Sequence, residues 1–455
     1  MTPRGWPASS QAAESTPRSS PGSGHQFGTF AGVFTPSILT ILGVIMFMRT
    51  GFVVGEAGLV KAVIILLIAK TITTLTTFSI SAVATNMRVR GGGAYFLISR
   101  VLGPEFGGAI GMALFLAQAV SVPFYVLGFS EALVRTLPAT APYFQWITLA
   151  SAAVLFVVAY VGASWAIKAQ LGIMIVLGTS IVSFMVGLGQ RFGLDTLTAN
   201  MNTHYTVIGG GATGPAHNFW SIFAIYFPAV TGILAGVNMS GDLKDPGKSI
   251  PKGTFAAIGV GSLVYLGQMV LMAGGAPAAE LIAEPYEVLV RSAFLGGVAV
   301  AVGVCAASLS SALGSYLGAP RILQAVARDG MLAFVRPFAA GSAKGDEPRR
   351  ALVLTGLITL GVLLWAGNES EGGPLNAVAA LITMFFLYTY GMTNLAAALE
   401  GISGNPSFRP KFRYFHWSLA LLGAIGCIGA AFLIDWKAAT YSMLIIAGML
   451  WYVRS

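Results

Sequence analysis

Two long apolar segments contain helix-breaking residues near their midpoints, and a helix that is broken inside a membrane can bind ions. The first segment, Phe34–Glu56, is predicted to lose its helix at Gly43–Ile45. The second, Phe219–Asp242, is predicted to break at Thr231–Gly236, just after Pro228. An unpaired peptide group costs several kcal/mol in hydrocarbon, so unwound backbone persists there only where it lines a cavity or binds something. Half-helices that meet at the midplane present N–H groups to anions and carbonyls to cations.

Hydroxyl groups also occur inside the apolar spans. The pair Ser310-Ser311 lies in a run of Gly, Ala and Ser between Ala306 and Ser315. Adjacent hydroxyls are hard oxygen ligands of the kind that small cations need, but small residues also allow close helix packing, and the sequence leaves both interpretations open. Tyr125 and Tyr390 are predicted near the midplane, where a tyrosine is most often a core residue with one satisfied hydroxyl.

Charged residues within the spans are few. Arg49 follows the first break, and Glu131 lies near the outer end of the third span, at a similar predicted depth. Charges in membrane segments usually pair, so we expect an ion pair that closes the outer path when the site faces inward. The alternative is that both side chains extend independently to the outer interface. Lys70, in the second span, has no partner that the sequence identifies.

The composition is that of a membrane protein. Hydrophobic residues make up 55% of the chain and charged residues 9%, with a mean hydropathy of +0.77, whereas soluble domains carry roughly 25% charged residues. Uncharged stretches of about 20 residues can each span a bilayer core roughly 30 Å thick. The sequence therefore predicts an all-α membrane protein with about 12 transmembrane helices. The spans lie near 31–55, 57–85, 106–136, 144–163, 168–189, 217–241, 253–275, 290–325, 350–367, 374–399, 416–434 and 437–453.

The net charge of +9 reflects topology. Most Lys and Arg residues fall in loops on one side of the predicted spans, and this positive-inside bias places both termini in the cytoplasm of a multi-pass protein of the plasma membrane. We therefore expect the lipid bilayer and inorganic ions as partners and no nucleic acid. The cytoplasmic clusters are Arg88, Arg90 and Arg100, then Lys244, Lys248 and Lys252, then 321–350, and finally Arg409, Lys411 and Arg413.

The helix break recurs five spans later, which indicates an internal duplication. An odd number of spans per copy inverts the second copy in the membrane. We predict a disordered cytoplasmic tail over 1–27 and a transporter domain over 28–455. Within that domain, repeat one covers about 31–189, repeat two about 217–399, and two added helices about 416–453.

Enzyme chemistry has little support in the sequence. The four His residues lie in the tail, in loops or at helix ends, and Cys305 and Cys427 lie in apolar spans, so neither a catalytic triad nor a zinc site is indicated. The run Gly91–Tyr95 lacks the Gly-Lys-Ser/Thr ending of a phosphate-binding loop. We expect no enzyme activity, no cofactor, and no metal beyond transported sodium and potassium.

Several ordered segments resemble the cation–chloride cotransporters, within the larger amino acid–polyamine–cation group. The resemblance covers nearly all of residues 28–453 and implies a leucine-transporter-like fold, a 5+5 inverted repeat with discontinuous helices 1 and 6. The segments that carry it are Leu39–Arg49, Gly92–Arg100, Leu102–Gly108, Phe227–Gly236, Leu309–Leu313 and Asn405–Tyr414.

The resemblance implies ion sites at matching positions. It assigns potassium to Thr40, Ile41, Tyr125, Pro228 and Thr231. It assigns chloride to Gly43, Val44 and Ile45 at the first break, and to Gly232, Ile233, Leu234 and Tyr390 around the second. It assigns sodium to the hydroxyls of Ser310 and Ser311 and the carbonyls of Leu39, Leu42 and Ala307. Arg49 and Glu131 match the outer gate pair of the family.

These positions imply a secondary active symporter of chloride with sodium and potassium that works by alternating access. Thr40 replaces the Asn of the family's potassium site and Leu42 replaces a Trp. The family's large C-terminal cytosolic domain is absent from the 455 residues, so regulation or dimerisation through it is not expected. A homodimer is an arrangement that the sequence leaves open.

Two alternatives remain. One is an amino acid or polyamine permease of the same superfamily, although Gly43–Ile45 is bulkier than the small-residue break that binds a carboxylate in those relatives. The other is proton coupling through a lysine in place of sodium, but Lys168 is predicted too close to the cytoplasmic surface for that role.

Overall fold

The secondary structure of the chain is helical, as the composition predicts. The computed structural model describes residues 27–86, 95, 99, 104–162, 166–208, 215–240, 243–330, 332–342, 346–367, 373–404 and 408–454. In these ranges the helices are joined by loops with two isolated bridges. Eleven of the described helical segments are long and apolar enough to cross a membrane. The predicted all-α membrane fold is therefore confirmed.

Seventeen α-helices follow one another in the described ranges. The first repeat and its loops contain α1 Thr35–Ile41, α2 Val44–Met48, α3 Thr50–Asn86, α4 Pro104–Thr136, α5 Phe144–Val161, α6 Ala166–Gln190 and α7 Leu194–Ala199. The second contains α8 Phe219–Tyr226, α9 Ile233–Val237, α10 Pro246–Gly275, α11 Ala278–Ala283, α12 Pro285–Ser292, α13 Gly297–Asp329, α14 Arg349–Gly367 and α15 Pro374–Ser403. The last two are α16 Trp417–Ile434 and α17 Trp436–Arg454.

The first span is broken between α1 and α2. Leu42 leaves the helical region with ψ 36°, and Gly43 follows with ψ −139°. Val44 and Ile45 were predicted to be unwound, but they form the first turn of α2. Glycine is the residue of this segment with the most backbone freedom, whereas Val44 and Ile45 are buried apolar residues that pack in the core.

The sixth span is broken between α8 and α9. A short 3-10 helix, Phe227–Val230, follows α8 and contains Pro228, which has no N–H to donate. Thr231 and Gly232 form the turn before α9. The prediction of unwound backbone as far as Gly236 is wrong, because Ile233–Val237 resumes the helix.

Glycines bring the two breaks into direct contact. A Cβ added to Gly232 would lie 2.9 Å from both the backbone nitrogen of Ile41 and the carbonyl oxygen of Ser37. On α4, a Cβ on Gly128 would lie 2.4 Å from the side chain of Val44. A methyl group has no room at either position, so these glycines permit the close packing of α1, α2, α4 and the second break.

The eighth and twelfth predicted spans differ from the structure in ways that have a physical reason. The eighth span begins at Gly297 and not at 290, because α12 ends at Ser292 and Gly296 turns the chain with a φ of 84°. The twelfth segment is a helix, α17, but it is not among the eleven candidate spans. Lys437 and several aromatic and hydroxyl side chains lower its hydropathy.

Some predictions fall outside the described residues. They concern the tail over 1–26, the loop arginines 88, 90 and 100, residues 91–94, Asp242, residues 343–345 of the basic cluster 321–350, Asn405, and the side chain of Lys168.

Candidate ion-binding site

The backbone at the first break is held by two polar side chains of α10. The hydroxyl of Tyr265 donates a hydrogen bond of 2.8 Å to the carbonyl oxygen of Ile41. Nε2 of Gln268 donates one of 2.7 Å to the carbonyl oxygen of Met46. One carbonyl lies just before the break and the other just after it, so α10 fixes the positions of both half-helices.

The amides that follow the first break are at the start of a helix. The first N–H groups of an α-helix have no acceptor within it, and the helix dipole makes that end attractive to anions. Val44 and Ile45 are the first two residues of α2, and Gly43 precedes them. Met46 N–H donates to the carbonyl oxygen of Gly43 at 3.2 Å. A chloride role for these amides remains a prediction.

The second break is held by Tyr390 of α15. Its hydroxyl donates a hydrogen bond of 2.9 Å to the carbonyl oxygen of Thr231. The hydroxyl of Thr231 in turn donates to the carbonyl oxygen of Pro228 at 3.0 Å. Ile233 and Leu234 begin α9 two residues after the carbonyl that Tyr390 binds, and a chloride role for their amides remains a prediction.

The residues assigned to potassium gather around the two breaks. Gly232 brings Thr231 and Pro228 against the end of α1, where Ile41 lies. Tyr125 is buried on α4, in the same hydrophobic core as Tyr265 and Tyr390. Ile41, Pro228 and Thr231 thus lie where the two breaks meet, and Tyr125 belongs to the core around them.

Thr40, the fifth, is bound within its own helix. Its hydroxyl donates a hydrogen bond of 2.9 Å to the carbonyl oxygen of Pro36. A hydroxyl that donates in this way keeps its oxygen lone pairs available to a cation. The side chain is half-buried.

The residues assigned to sodium lie where α13 packs against α1. Ala307, Ser310 and Ser311 share one face of α13 by their spacing of three and four residues. Oγ of Ser311 is buried and has no hydrogen-bond partner among the described residues. An unsatisfied buried hydroxyl costs about 1–3 kcal/mol. The neighbouring Ser308, by contrast, donates to the carbonyl oxygen of Val304 at 2.6 Å.

Arg49 and Glu131 form a bidentate ion pair. The two guanidinium nitrogens Nη1 and Nη2 of Arg49 lie 3.0 and 2.9 Å from Oε1 and Oε2 of Glu131. Nε of Arg49 also donates to Oδ1 of Asn376 on α15 at 2.5 Å. The pair therefore ties the end of α2 to α4 and α15 on the predicted outer side of the breaks, while its role as a gate remains a prediction.

The ion pair is part of a longer network that the sequence did not reveal. Arg135 donates from Nε to Glu131 at 3.2 Å and from Nη1 to Glu287 of α12 at 2.8 Å. The spacing of Glu131 and Arg135, four residues apart on a helix, was the available signal. The contact with Glu287 depends on how α12 folds back over the spans and has no local sequence signal.

A hydroxyl contact strengthens the same junction. Tyr286 of α12 and Thr136 of α4 lie 2.7 Å apart, oxygen to oxygen. Burial raises the pKa of the Tyr286 phenol to about 12, so this hydroxyl stays protonated at neutral pH. The outer ends of α4 and α12 are thus joined by an ion pair and a neutral hydrogen bond.

Comparisons with known proteins agree with this architecture. The sequence model of the family described as "Amino acid permease" matches residues 32–455. Solute carrier family 12 member 2 of Homo sapiens is 35% identical over 94% of this chain and 38% of its own length. Solute carrier family 12 member 1 of Homo sapiens is 33% identical over 92% of this chain and 42% of its own length. The chain thus spans about two fifths of the length of these relatives.

A solved structure has a similar fold. It is Mhp1, a nucleobase-cation-symport-1 family transporter, in a closed conformation with bromovinylhydantoin bound. The TM-score is 0.54 at 15% identity, covering 93% of this chain and 94% of Mhp1. The predicted leucine-transporter-like fold and cation–chloride cotransporter resemblance are confirmed, and so is the prediction that the chain is not an enzyme, since these relatives are transporters.

The outer network predicts an effect of Glu131→Gln. The substitution keeps the shape of the side chain but removes the charge that pairs with Arg49, and breaking a buried pair costs about 3–5 kcal/mol. We expect the outer path to open more often. In a protein without Cys305 and Cys427, a cysteine at Met48 should react with a membrane-impermeant maleimide roughly tenfold faster or more.

The matched control is Glu280→Gln, which breaks the more exposed pair of Glu280 with Arg291 on the same predicted side. Exposed pairs contribute about 0–1 kcal/mol, so labelling should be unchanged. Equal labelling rates in Glu131→Gln and the parent protein would contradict a gating role for the pair.

Proposed function

Because the chain belongs to the amino acid permease family and is a multi-pass membrane transporter, we propose that it is a secondary active symporter of chloride with sodium and potassium. The observation that carries the proposal is the contact of the two helix breaks through Gly232 and Ile41. It brings a helix start, two carbonyls and a tyrosine hydroxyl into one buried region, which is the set of groups that a chloride–cation site requires.

Chloride is the anion that fits the residues at the breaks. Amides at a helix start attract any small anion, but the side chain of Val44 packs tightly against Gly128. This leaves less room above the first break than a small-residue turn would. A monatomic anion suits such a site better than the carboxylate of an amino acid, and Tyr390 can donate to chloride once it releases the Thr231 carbonyl.

Cations next to the anion supply the coupling. The carbonyl oxygens of Ile41 and Thr231 accept hydrogen bonds from tyrosines, and each carbonyl has a second lone pair for a potassium ion. Opposite charges held close together in a poorly polarisable interior stabilise each other strongly. Ions that bind together in this way also move together, without any chemical step.

Sodium would bind at the junction of α1 and α13. The unpartnered hydroxyl of Ser311 supports this assignment, because a sodium ion would supply the missing partner. The carbonyls of Leu39 and Leu42 lie at the end of α1, where no further helical turn follows to donate N–H groups to them. The sodium gradient would then drive the uptake of the other ions.

The location follows from the distribution of charge. The Lys and Arg clusters near Lys248 and Arg328 would face the cytoplasm, and both termini would lie on that side, in the plasma membrane. The transport cycle would move the half-helices α1, α2, α8 and α9 against the spans that hold them, while the ion sites between them stay fixed.

The runner-up is an amino acid or polyamine permease, which the description of the matching family model favours. Ion substitution separates the two. We expect proteoliposomes of the purified chain to take up ²²Na⁺ and ⁸⁶Rb⁺ in a chloride-dependent manner, each requiring the other cation. Uptake that is unaffected when gluconate replaces chloride would overturn the proposal, and uptake of labelled amino acids would establish the alternative.

The sodium assignment is tested by Ser311→Ala. The change removes one oxygen ligand, so the sodium concentration for half-maximal uptake should rise roughly tenfold, which corresponds to about 1.4 kcal/mol. Ser308→Ala is the control, since its hydroxyl already donates to the Val304 carbonyl on the same helix. Equal sodium dependence in the two variants would exclude Ser311 as a ligand.

The chloride assignment is tested by Tyr390→Phe. A hydrogen bond to a charged group is worth about 1.5–3 kcal/mol, so the apparent chloride affinity should fall at least about tenfold. Tyr388→Phe is matched to it, because the Tyr388 hydroxyl donates to the Ala439 carbonyl of α17, away from the breaks. If Tyr390→Phe binds chloride as the unmodified chain does, Tyr390 is not part of the site.

A further inference from the structure

Lys70 is a buried lysine without a counter-charge, close to the first helix break. It lies on α3, well inside the span that begins after Gly58, and its side chain is buried. Its Nζ has no hydrogen-bond partner among the described residues. Lysines in membrane spans usually pair or reach the interface, and this one does neither.

The surroundings of Lys70 connect it to the break. Its Nζ lies 5.6 Å from the ring centre of Tyr265, whose hydroxyl donates to the Ile41 carbonyl. A Cβ on Gly261 would lie 3.5 Å from Nζ and 2.7 Å from Cγ2 of Ile41. Gly261 thus lies beside both the amine of Lys70 and the side chain of Ile41, the last residue of α1. The ring of Tyr226 packs edge-on against the ring of Tyr265.

Among the described residues, no carboxylate forms a hydrogen bond or an ion pair with this amine. On α3 itself, Glu56 is bonded to Thr206 and Lys61 lies over the ring of Tyr205. The elements packed against α3 carry most of their charged and titratable side chains towards its ends, namely His217 before α8, Lys248 and Lys252 on α10, Glu280 on α11, and Glu287 and Arg291 on α12. The titratable groups on the other two packed spans are Tyr388, Tyr390 and Glu400 of α15 and Cys427 of α16, which follows Gly426, where an added Cβ would lie 3.7 Å from Ile72.

We propose that Lys70 is a proton-binding site and that the chain takes up one proton together with chloride, an inference that rests on the proposed chloride transport. An unpaired ammonium is costly in a closed apolar interior, whereas a neutral amine is not. Chloride at the helix breaks supplies the missing negative charge. Lys70 is therefore an ammonium in the chloride-loaded closed state and a neutral amine in the chloride-free closed state.

Each proton that Lys70 binds from the outer side is released on the inner side within the same transport cycle. With the outer path open, the lone pair of Nζ accepts a proton from water at the outer side as chloride binds. After the inner path opens and chloride leaves, the ammonium returns the proton to water at the inner side. No other bond forms or breaks, and the net movement is one proton with each chloride that uses the site.

Chloride binding to the purified 455-residue chain tests the inference without transport. Because binding takes up a proton, the apparent chloride Kd from tryptophan fluorescence should rise with pH, approaching roughly tenfold per unit at alkaline pH. In Lys70→Gln and in Lys70→Arg, which cannot release its charge, the Kd should not vary in this way. Lys61→Gln, a lysine near the outer end of the same helix, should behave like the parent chain.

A proton flux measurement in proteoliposomes completes the test. An inward chloride gradient should acidify the lumen, as reported by a trapped pH dye, in the parent chain and in Lys61→Gln but not in Lys70→Gln. Chloride-dependent sodium uptake without acidification would overturn the inference and leave the proposed symport standing. If no uptake responds to chloride, the symport proposal fails. In the binding experiment, a chloride Kd that depends on pH in the same way in Lys70→Gln and in the parent chain would overturn the inference about Lys70.

Discussion

Gly232 packs directly against the end of α1, and both helix breaks require this contact. A membrane helix can unwind only where its freed peptide groups find partners. In this chain each helix break packs against the other and helps to bury it. Any side chain at position 232 would meet the backbone of Ile41 and Ser37. Either helix break is therefore tolerated in the membrane only when α1 and α2 pack closely against α8 and α9.

Two tyrosines make this packing specific. Tyr265 binds the carbonyl at the end of α1, and Tyr390 binds the carbonyl of Thr231 at the second break. Both are fully buried, and each comes from a span that is itself continuous. The unbroken helices α10 and α15 thus act as supports that carry the polar groups, while the broken helices supply backbone. An ion that takes the place of one of these hydrogen bonds would change how α10 or α15 contacts a broken helix.

The sequence predicted the breaks and missed their supports, for a physical reason. Gly43, Pro228 and Gly232 are local signals, since each acts through its own backbone. The extent of unwinding was overestimated at Ile45 and Gly236, because tertiary packing of apolar residues restores the helix as soon as the backbone permits. Tyr265, Asn376 and Glu287 act only through contacts between distant segments, and a tyrosine or a glutamate in isolation carries no signal of that kind.

Some charged side chains of the interior are neutralised by an oppositely charged side chain of the protein, and others are not. Arg49, Glu131, Arg135 and Glu287 alternate in sign and pair with one another, so the outer junction is neutral as it stands. Among the described residues, the amine of Lys70 has no such partner, and the dipoles at the two breaks favour an anion that these residues do not supply. The closed state then has its lowest free energy when an anion and the positive charges that compensate it are present together, or when both are absent. In the proposed symporter, the path would close only around a complete set of ions, because an incomplete set would leave an uncompensated charge in a poorly polarisable interior.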